Sequence, residues 1–180
     1  MDLHGAKVLL SEQDIQTRTK ALTDSINQDY SGQELLVVGI LKGAFVFMAD
    51  LIRGINIPLK IDFMAVSSYG LSTESSGEVR IMKDLEQSVE GKNILIVEDI
   101  IDSGLTLKYI TEILKKRNPQ SIRICTFLDK PSRRKVQIIP DYNGFSIPDH
   151  FVVGYGLDYA EKYRNLPCVC ILDPATLVKE

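Results

Sequence analysis

Residues 93–106, NILIVEDIIDSGLT, hold the side chains best suited to chemistry. Asn93 and the apolar run Ile94 to Val97 have the composition of a buried strand, β-rich and too short for a helix. Two adjacent carboxylates, Glu98 and Asp99, close that strand. Asp102, Ser103, Gly104 and Thr106 follow, and an amphipathic run begins at Leu105. A strand, a turn of small residues and a helix start together make a cradle for phosphate. Backbone N–H groups at the helix N-terminus point at the anion, and the helix dipole favours negative charge there. Glu98 and Asp99 would repel a phosphate set directly against them, so they face a divalent cation, a sugar diol, or both. A third acid, Asp102, lies inside the turn. A ligand with a phosphate at one end, hydroxyls in the middle and a protonated or cationic centre beyond satisfies all these groups. A ribose 5-phosphate derivative has that form.

Three other readings compete for this segment. A nucleoside triphosphatase could use ILIVED as its Mg-binding strand, but it needs a GxxxxGK[ST] segment that the chain lacks. A phosphoacceptor signalling domain opens with a similar strand and acidic pair, yet here the motif begins at Ile94 and leaves too little chain after it. A plain turn with solvated acids is the third. Against it, acids, Ser, Gly and Thr coincide at one strand end, where open α/β sheets bind ligands.

The elements that would position this segment can be read from hydrophobic period. Ser11 followed by Asp14 has the form of a capping box, and Ile15, Leu22, Ile26 and Tyr30 recur at helical spacing. Residues 35–41 read as a buried strand, 44–53 as a mostly buried helix closed by Gly54, and 59–66 as a second strand. Residues 70–77, GLSTESSG, are small and polar, as in a mobile loop, with 79–82 as a returning strand. The helix from Leu105 runs to about Lys116, its basic end suits the dipole, and Pro119 stops it. Residues 121–128 read as a strand, 141–149 as turn-rich, and 151–155 and 169–172 as short strands. Alternating strands and helices imply an α/β fold with a parallel sheet.

Composition narrows the class. The 180 residues suffice for one domain with a substantial core, and 44% apolar with 25% charged residues is ordinary for a globule. A net charge of −3 gives no electrostatic case for nucleic acid or a membrane surface. The longest apolar runs are far below spanning length. The start MDLHGAKVLLSEQD has no basic stretch followed by an apolar core, so a cytoplasmic location is expected. Cys125, Cys168 and Cys170 lie in strand-like surroundings and read as reduced core thiols. With only His4 and His150 present, a histidine metal site or a Cys–His nucleophile pair is disfavoured.

Residues 97–106, VEDIIDSGLT, resemble the diphosphosugar-binding signature of type I phosphoribosyltransferases. The chain as a whole is similar to the hypoxanthine(-guanine) phosphoribosyltransferase family. The similarity runs through LKGAF at 41–45, SSYG at 67–70, LDKPSRR at 128–134 and FVVGYGLDYAEKYRN at 151–165. Five motifs in one order are far more specific than any one of them. The resemblance implies a type I phosphoribosyltransferase-like fold: a central parallel sheet flanked by helices, with a small hood built from chain-terminal segments. It implies a single domain over 1–180 with a mobile loop at about 68–80. The implied reaction is purine salvage: transfer of the 5-phosphoribosyl group from 5-phosphoribosyl 1-diphosphate to N9 of hypoxanthine or guanine. IMP or GMP and pyrophosphate result, Mg²⁺ is required, and the enzyme is a homodimer or homotetramer.

Site roles follow from the same resemblance. Ser103, Gly104, Leu105 and Thr106 would hold the 5-phosphate, while Glu98 and Asp99 would face the ribose hydroxyls and Mg²⁺. Asp102 would be the general acid/base that exchanges the purine N7 proton; on residue type alone it could equally cap the following helix. Lys42 and Gly43 would bind pyrophosphate through backbone N–H groups beside a non-proline cis peptide between Leu41 and Lys42, where a simple turn with an exposed lysine is the alternative. Ser68 and Tyr69 would open a loop that closes over the reaction. Lys130, by itself a surface lysine, would face the purine 6-oxo group and select it over an amino group. Phe151, by itself a core residue, would stack on the purine, and the Val152 backbone would read its edge. Asp158, placed near the purine, would also reach a second Mg²⁺. Arg164 would pair with pyrophosphate; a surface ion pair is the alternative for both. Arg133, Arg134 and Lys135 read as a solvated basic loop. The chain departs from some relatives at Ser103, Leu105 and Ala44, where Thr, Lys and Gly occur. Two rivals stand beside this reading: a relative using xanthine, adenine or orotate, and an RNA-binding regulator on the same fold.

Overall fold

A computed structural model describes residues 7–68 and 79–172, without the side chains of Ser68 and Val79. Tyr69 and the glycine- and serine-rich segment 70–77, expected to be a mobile loop, lie outside the described residues.

The chain runs β1 (Lys7–Leu10), α1 (Glu12–Asp29), β2 (Leu35–Leu41), α2 (Phe45–Gly54), β3 (Leu59–Ser68), β4 (Val79–Lys83) and β5 (Asn93–Ile101). It continues with α3 (Leu105–Lys115), β6 (Ser121–Asp129), a 3-10 turn (Pro131–Arg133), β7 (Tyr142–Ser146), β8 (Val152–Val153) and β9 (Val169–Ile171). α1 starts where the capping box places it. The Ser11 hydroxyl accepts from the Asp14 N–H at 3.2 Å, and the Asp14 carboxylate accepts from the Ser11 N–H at 3.0 Å.

Six strands form the main sheet in the order β4-β3-β2-β5-β6-β7. All neighbours are parallel except β4, which returns antiparallel along β3. Alternation along the central strands divides the core between two faces. Leu35 and Val37 of β2 and Leu95 and Val97 of β5 pack with Ile15, Leu22 and Ile26 of α1 and Phe47 and Leu51 of α2. Leu36, Val38, Ile94 and Ile96 point the other way, onto Leu107, Ile110 and Leu114 of α3. A separate antiparallel sheet, β1-β9-β8, joins strands from early and late in the chain.

Four local expectations are corrected. β5 does not stop at the acidic pair; β6 keeps pairing with it through Ile101↔Asp129, so the acids sit within an extended strand. Residues 141–149 contain β7, because β6 offers a free parallel edge to the Asn- and Gly-bearing segment. Gly54 is the last helical residue of α2, and Ile55, in extended conformation, is its C-cap. The loop after β6 is not uniformly solvated, since the Arg134 side chain is only 15% exposed and paired with Asp129.

Candidate active site

β2 leads through α2 to β3 on one side of the sheet, whereas β5 leads through α3 to β6 on the other. Between the carboxyl ends of β2 and β5 the order therefore reverses, which is where open α/β sheets form a binding crevice. A cleft of about 250 Å³ opens there, lined by Leu41, Lys42, Gly43, Glu98, Asp99, Thr106, Asp158 and Arg164 among others. Sequence positions more than 100 residues apart, from Lys42 to Arg164, thus meet at one strand end.

The floor is the acidic pair. Glu98 Oε2 is buried and has no hydrogen-bond partner within the protein. Burial first, and the Asp99 charge second, raise the Glu98 carboxyl well above its ordinary range. Burial likewise pushes Asp99 up to about 6, against the Ile100 N–H that donates to its Oδ1 at 2.8 Å. Two carboxyls held this way, one with an orphaned oxygen, suit a hard divalent cation. No cluster of three or more His, Cys, Asp or Glu side chains poised for a metal occurs among the described residues. A pair of carboxylates of this kind fits Mg²⁺ held through one or two protein ligands, with ligand oxygens and water completing its shell.

Two glycines allow the walls to come so close. An added Cβ on Gly43 would fall 1.5 Å from Asp99 Oδ2, so only glycine lets the loop after β2 lie against that carboxylate. This loop begins with a cis peptide bond between Leu41 and Lys42. Gly104 has φ of 80°, a left-handed conformation that turns the chain from β5 into α3. It is the N-cap of α3 and no side chain caps it, so Asp102 does not serve as the cap. Ser103 Oγ accepts from the Leu105 N–H at 3.4 Å, and Thr106 lines the cleft.

Asp102 and Lys130 meet on the far side of this turn through residues that sequence reading did not single out as functional. Arg133 Nε donates to Asp102 Oδ1 at 3.2 Å, and its Nη1 lies 3.6 Å from Asp149. Asp149 in turn lies 3.4 Å from Lys130 Nζ. Lys130 is 7% exposed, a buried cation and not the surface lysine its type alone suggests. Its N–H donates to the Ile101 carbonyl at 2.9 Å, which holds it beside the signature strand.

The remaining wall comes from β8 and the turn after it. Phe151 is 43% exposed and packs edge-on to Tyr159 at 5.7 Å, so its ring is not a core residue. Val152 is buried in β8. Arg164 donates to Asp158 Oδ1 at 2.9 Å and to the Gly156 carbonyl at 2.8 Å, while its Nε is buried without a partner. Glu161, unremarked in the sequence, pairs with both Lys42 at 2.9 Å and Arg164 at 3.2 Å. Spacing within YAEKYRN gave no signal for it, because the contact with Lys42 spans 119 residues. Of the residues singled out from sequence, Lys42, Gly43, Glu98, Asp99, Thr106, Asp158 and Arg164 line one cleft. Asp102, Ser103 and Lys130 flank it on the β5–β6 side, and Ser68 ends the neighbouring strand β3.

Comparison with known proteins agrees in sequence and in fold. The family model for the phosphoribosyl transferase domain matches residues 6–160. The hypoxanthine-guanine phosphoribosyltransferase of Bacillus subtilis is 59% identical over 169 residues, covering 94% of each chain. That of Staphylococcus aureus strain Mu50 is 56% identical, covering 93% of this chain and 94% of the other. The crystal structure of a hypoxanthine phosphoribosyltransferase from Staphylococcus aureus superposes with a TM-score of 0.92 at 54% identity, covering 96% of this chain and 94% of that one.

Proposed function

The chain belongs to the phosphoribosyl transferase family, and from that premise we propose that it catalyses purine salvage. The 5-phosphoribosyl group of 5-phosphoribosyl 1-diphosphate passes to N9 of hypoxanthine or guanine, and IMP or GMP and pyrophosphate leave. The observation that carries this reading is the meeting, at one strand end, of a helix start whose N-cap, Gly104, has no capping side chain with a half-buried acidic pair, of which Glu98 Oε2 is buried without a hydrogen-bond partner in the protein. The first suits a phosphate and the second a metal-bound diol. The names of the relatives supply the base.

In this account Ser103, Gly104, Leu105 and Thr106 hold the 5-phosphate. Glu98 and Asp99 are the carboxylates that would hold Mg²⁺, and Asp158 on the opposite wall would reach a second Mg²⁺. Bound there, Mg²⁺ would neutralise the diphosphate and orient the ribose hydroxyls. Lys42, Gly43 and Arg164 take the diphosphate, with Ser68, the last residue of β3, and Tyr69 contributing. As N9 bonds to C1 of the ribose and the C1–oxygen bond to diphosphate breaks, positive charge develops on the sugar, and the floor carboxylates stabilise it. The base must also lose a proton, and Asp102 receives it from N7. Phe151 stacks on the purine, the Val152 backbone reads its edge, and Lys130 donates to the 6-oxo group. A lysine held by Asp149 cannot accept from an exocyclic amine, so adenine is rejected. A homodimeric or homotetrameric cytoplasmic enzyme completes the reading. Formation of IMP from 5-phosphoribosyl 1-diphosphate and hypoxanthine tests the proposal. It should require Mg²⁺ and stop on chelation; a folded protein that forms no IMP with Mg²⁺ present would refute it.

A further inference from the structure

The cleft described above is overcharged with acids for a site that takes a diphosphate. Among the described residues that line it, Glu98, Asp99 and Asp158 stand against Lys42 and Arg164, and Glu161 adds a further acid by pairing with both of these cations. Glu98 and Asp99 have a task on the floor, and Asp158 grips Arg164 from within the wall at 2.9 Å. Glu161 is different. Its carboxylate is 64% exposed and spans the mouth of the cleft, with Oε2 on Lys42 at 2.9 Å and Oε1 on Arg164 at 3.2 Å. It thus engages, with one oxygen each, Arg164, assigned to the diphosphate, and the side-chain cation of Lys42, which stands on the loop assigned to it.

The backbone presents it there. Ala160, Glu161 and Tyr163 all adopt left-handed conformations, with φ of 49°, 63° and 77°. Three non-glycine residues in that region within four positions are unusual and persist only where the surroundings over-determine them. Part of that determination is visible, since the Glu161 N–H donates to Asp158 Oδ2 at 2.9 Å. An exposed ion pair alone is weak and easily exchanged for a better anion.

Resting on the proposed diphosphate roles of Lys42 and Arg164, we propose that Glu161 is a built-in counter-anion that sets the affinity of the diphosphate subsite. It neutralises Lys42 and Arg164 while the cleft is empty, yields to the donor's diphosphate, and competes with pyrophosphate once that product forms. An acid placed here costs ground-state binding and favours product departure. A merely structural bridge between the two loops would have the opposite effect, because its removal would loosen the subsite.

The sign of the effect is therefore the test. Inorganic pyrophosphate with Mg²⁺ is titrated calorimetrically into the wild-type protein and into Glu161→Gln and Lys42→Ala variants. The donor KM is measured for the same set. Glu161→Gln should tighten pyrophosphate roughly two- to tenfold, the scale of exposed ion pairs, and lower the donor KM in parallel; Lys42→Ala should weaken both. Unchanged or weaker pyrophosphate binding in Glu161→Gln, with Lys42→Ala still deleterious, overturns the role of Glu161 alone. Pyrophosphate binding that is absent from wild type, or indifferent to Lys42→Ala, overturns the diphosphate assignment beneath it as well.

Discussion

Asp102 separates chemistry from architecture most cleanly. The N-cap of α3 is Gly104, and the Asp102 carboxylate accepts from Arg133 Nε at 3.2 Å. Replacing the carboxylate by an amide removes the proposed proton acceptor and leaves the helix start intact. Asp102→Asn should lower turnover by roughly two or more orders of magnitude with the melting temperature unchanged; wild-type turnover in that variant would end the proton-transfer role. The acidic pair makes a second claim at this scale. The Asp99 carboxyl, ordinarily at 3.8, is pushed up to about 6 by burial. Its folded value exceeds its unfolded value, so without metal the stabilising contribution is present at low pH and is lost as pH rises through about 6. Mg²⁺ binds the ionised form, so the rise in melting temperature produced by Mg²⁺ should be small at pH 5 and grow through that value. Asp99→Asn should flatten the profile. A Mg²⁺ effect that is constant between pH 5 and pH 8 would contradict the assignment.

Elements with a strong hydrophobic period were legible from sequence. The capping box of α1, the buried strand β2 and the amphipathic α3 all appear near their expected bounds. What could not be read was any feature decided by a neighbouring element. The continuation of β5 beyond its acids depends on β6, and β7 depends on the edge that β6 leaves open. The site divides in the same way. Glu98, Asp99, Ser103, Gly104 and Thr106 announce themselves by local pattern, whereas the roles of Lys42, Lys130, Asp158 and Arg164 came from resemblance alone. Glu161 and Asp149 escaped notice, and Arg133 read only as part of a solvated basic loop, because their partners are remote in sequence or ordinary in type. One element contact lends itself to a direct test. Gly43→Ala would drive a methyl group into Asp99, forcing the loop after β2 away from β5. The variant should retain its far-UV circular dichroism but lose about 100-fold in kcat/KM for the sugar donor, the scale of a misplacement near 1 Å. Donor kinetics within twofold of wild type would show that this close approach is not needed.

Across the whole molecule, the sheet order explains why such remote residues converge. β2 and β5 send their connections to opposite sides, and the crevice between their ends collects the loop after β2, the turn into α3 and the 158–164 turn that follows β8. The acids on the floor, the cations at the mouth and the buried Lys130 on the flank then suit different parts of one donor–purine pair. The regulator reading finds less support, since a net charge of −3 does not suggest the basic face that RNA binding calls for. The most direct test of this account is pyrophosphate release from 5-phosphoribosyl 1-diphosphate with Mg²⁺, offering hypoxanthine, guanine, xanthine and adenine separately. Release with hypoxanthine and guanine but not with adenine is the predicted result. Release with adenine as readily as with hypoxanthine would contradict the role of Lys130, and release with no purine at all would contradict the proposed reaction itself.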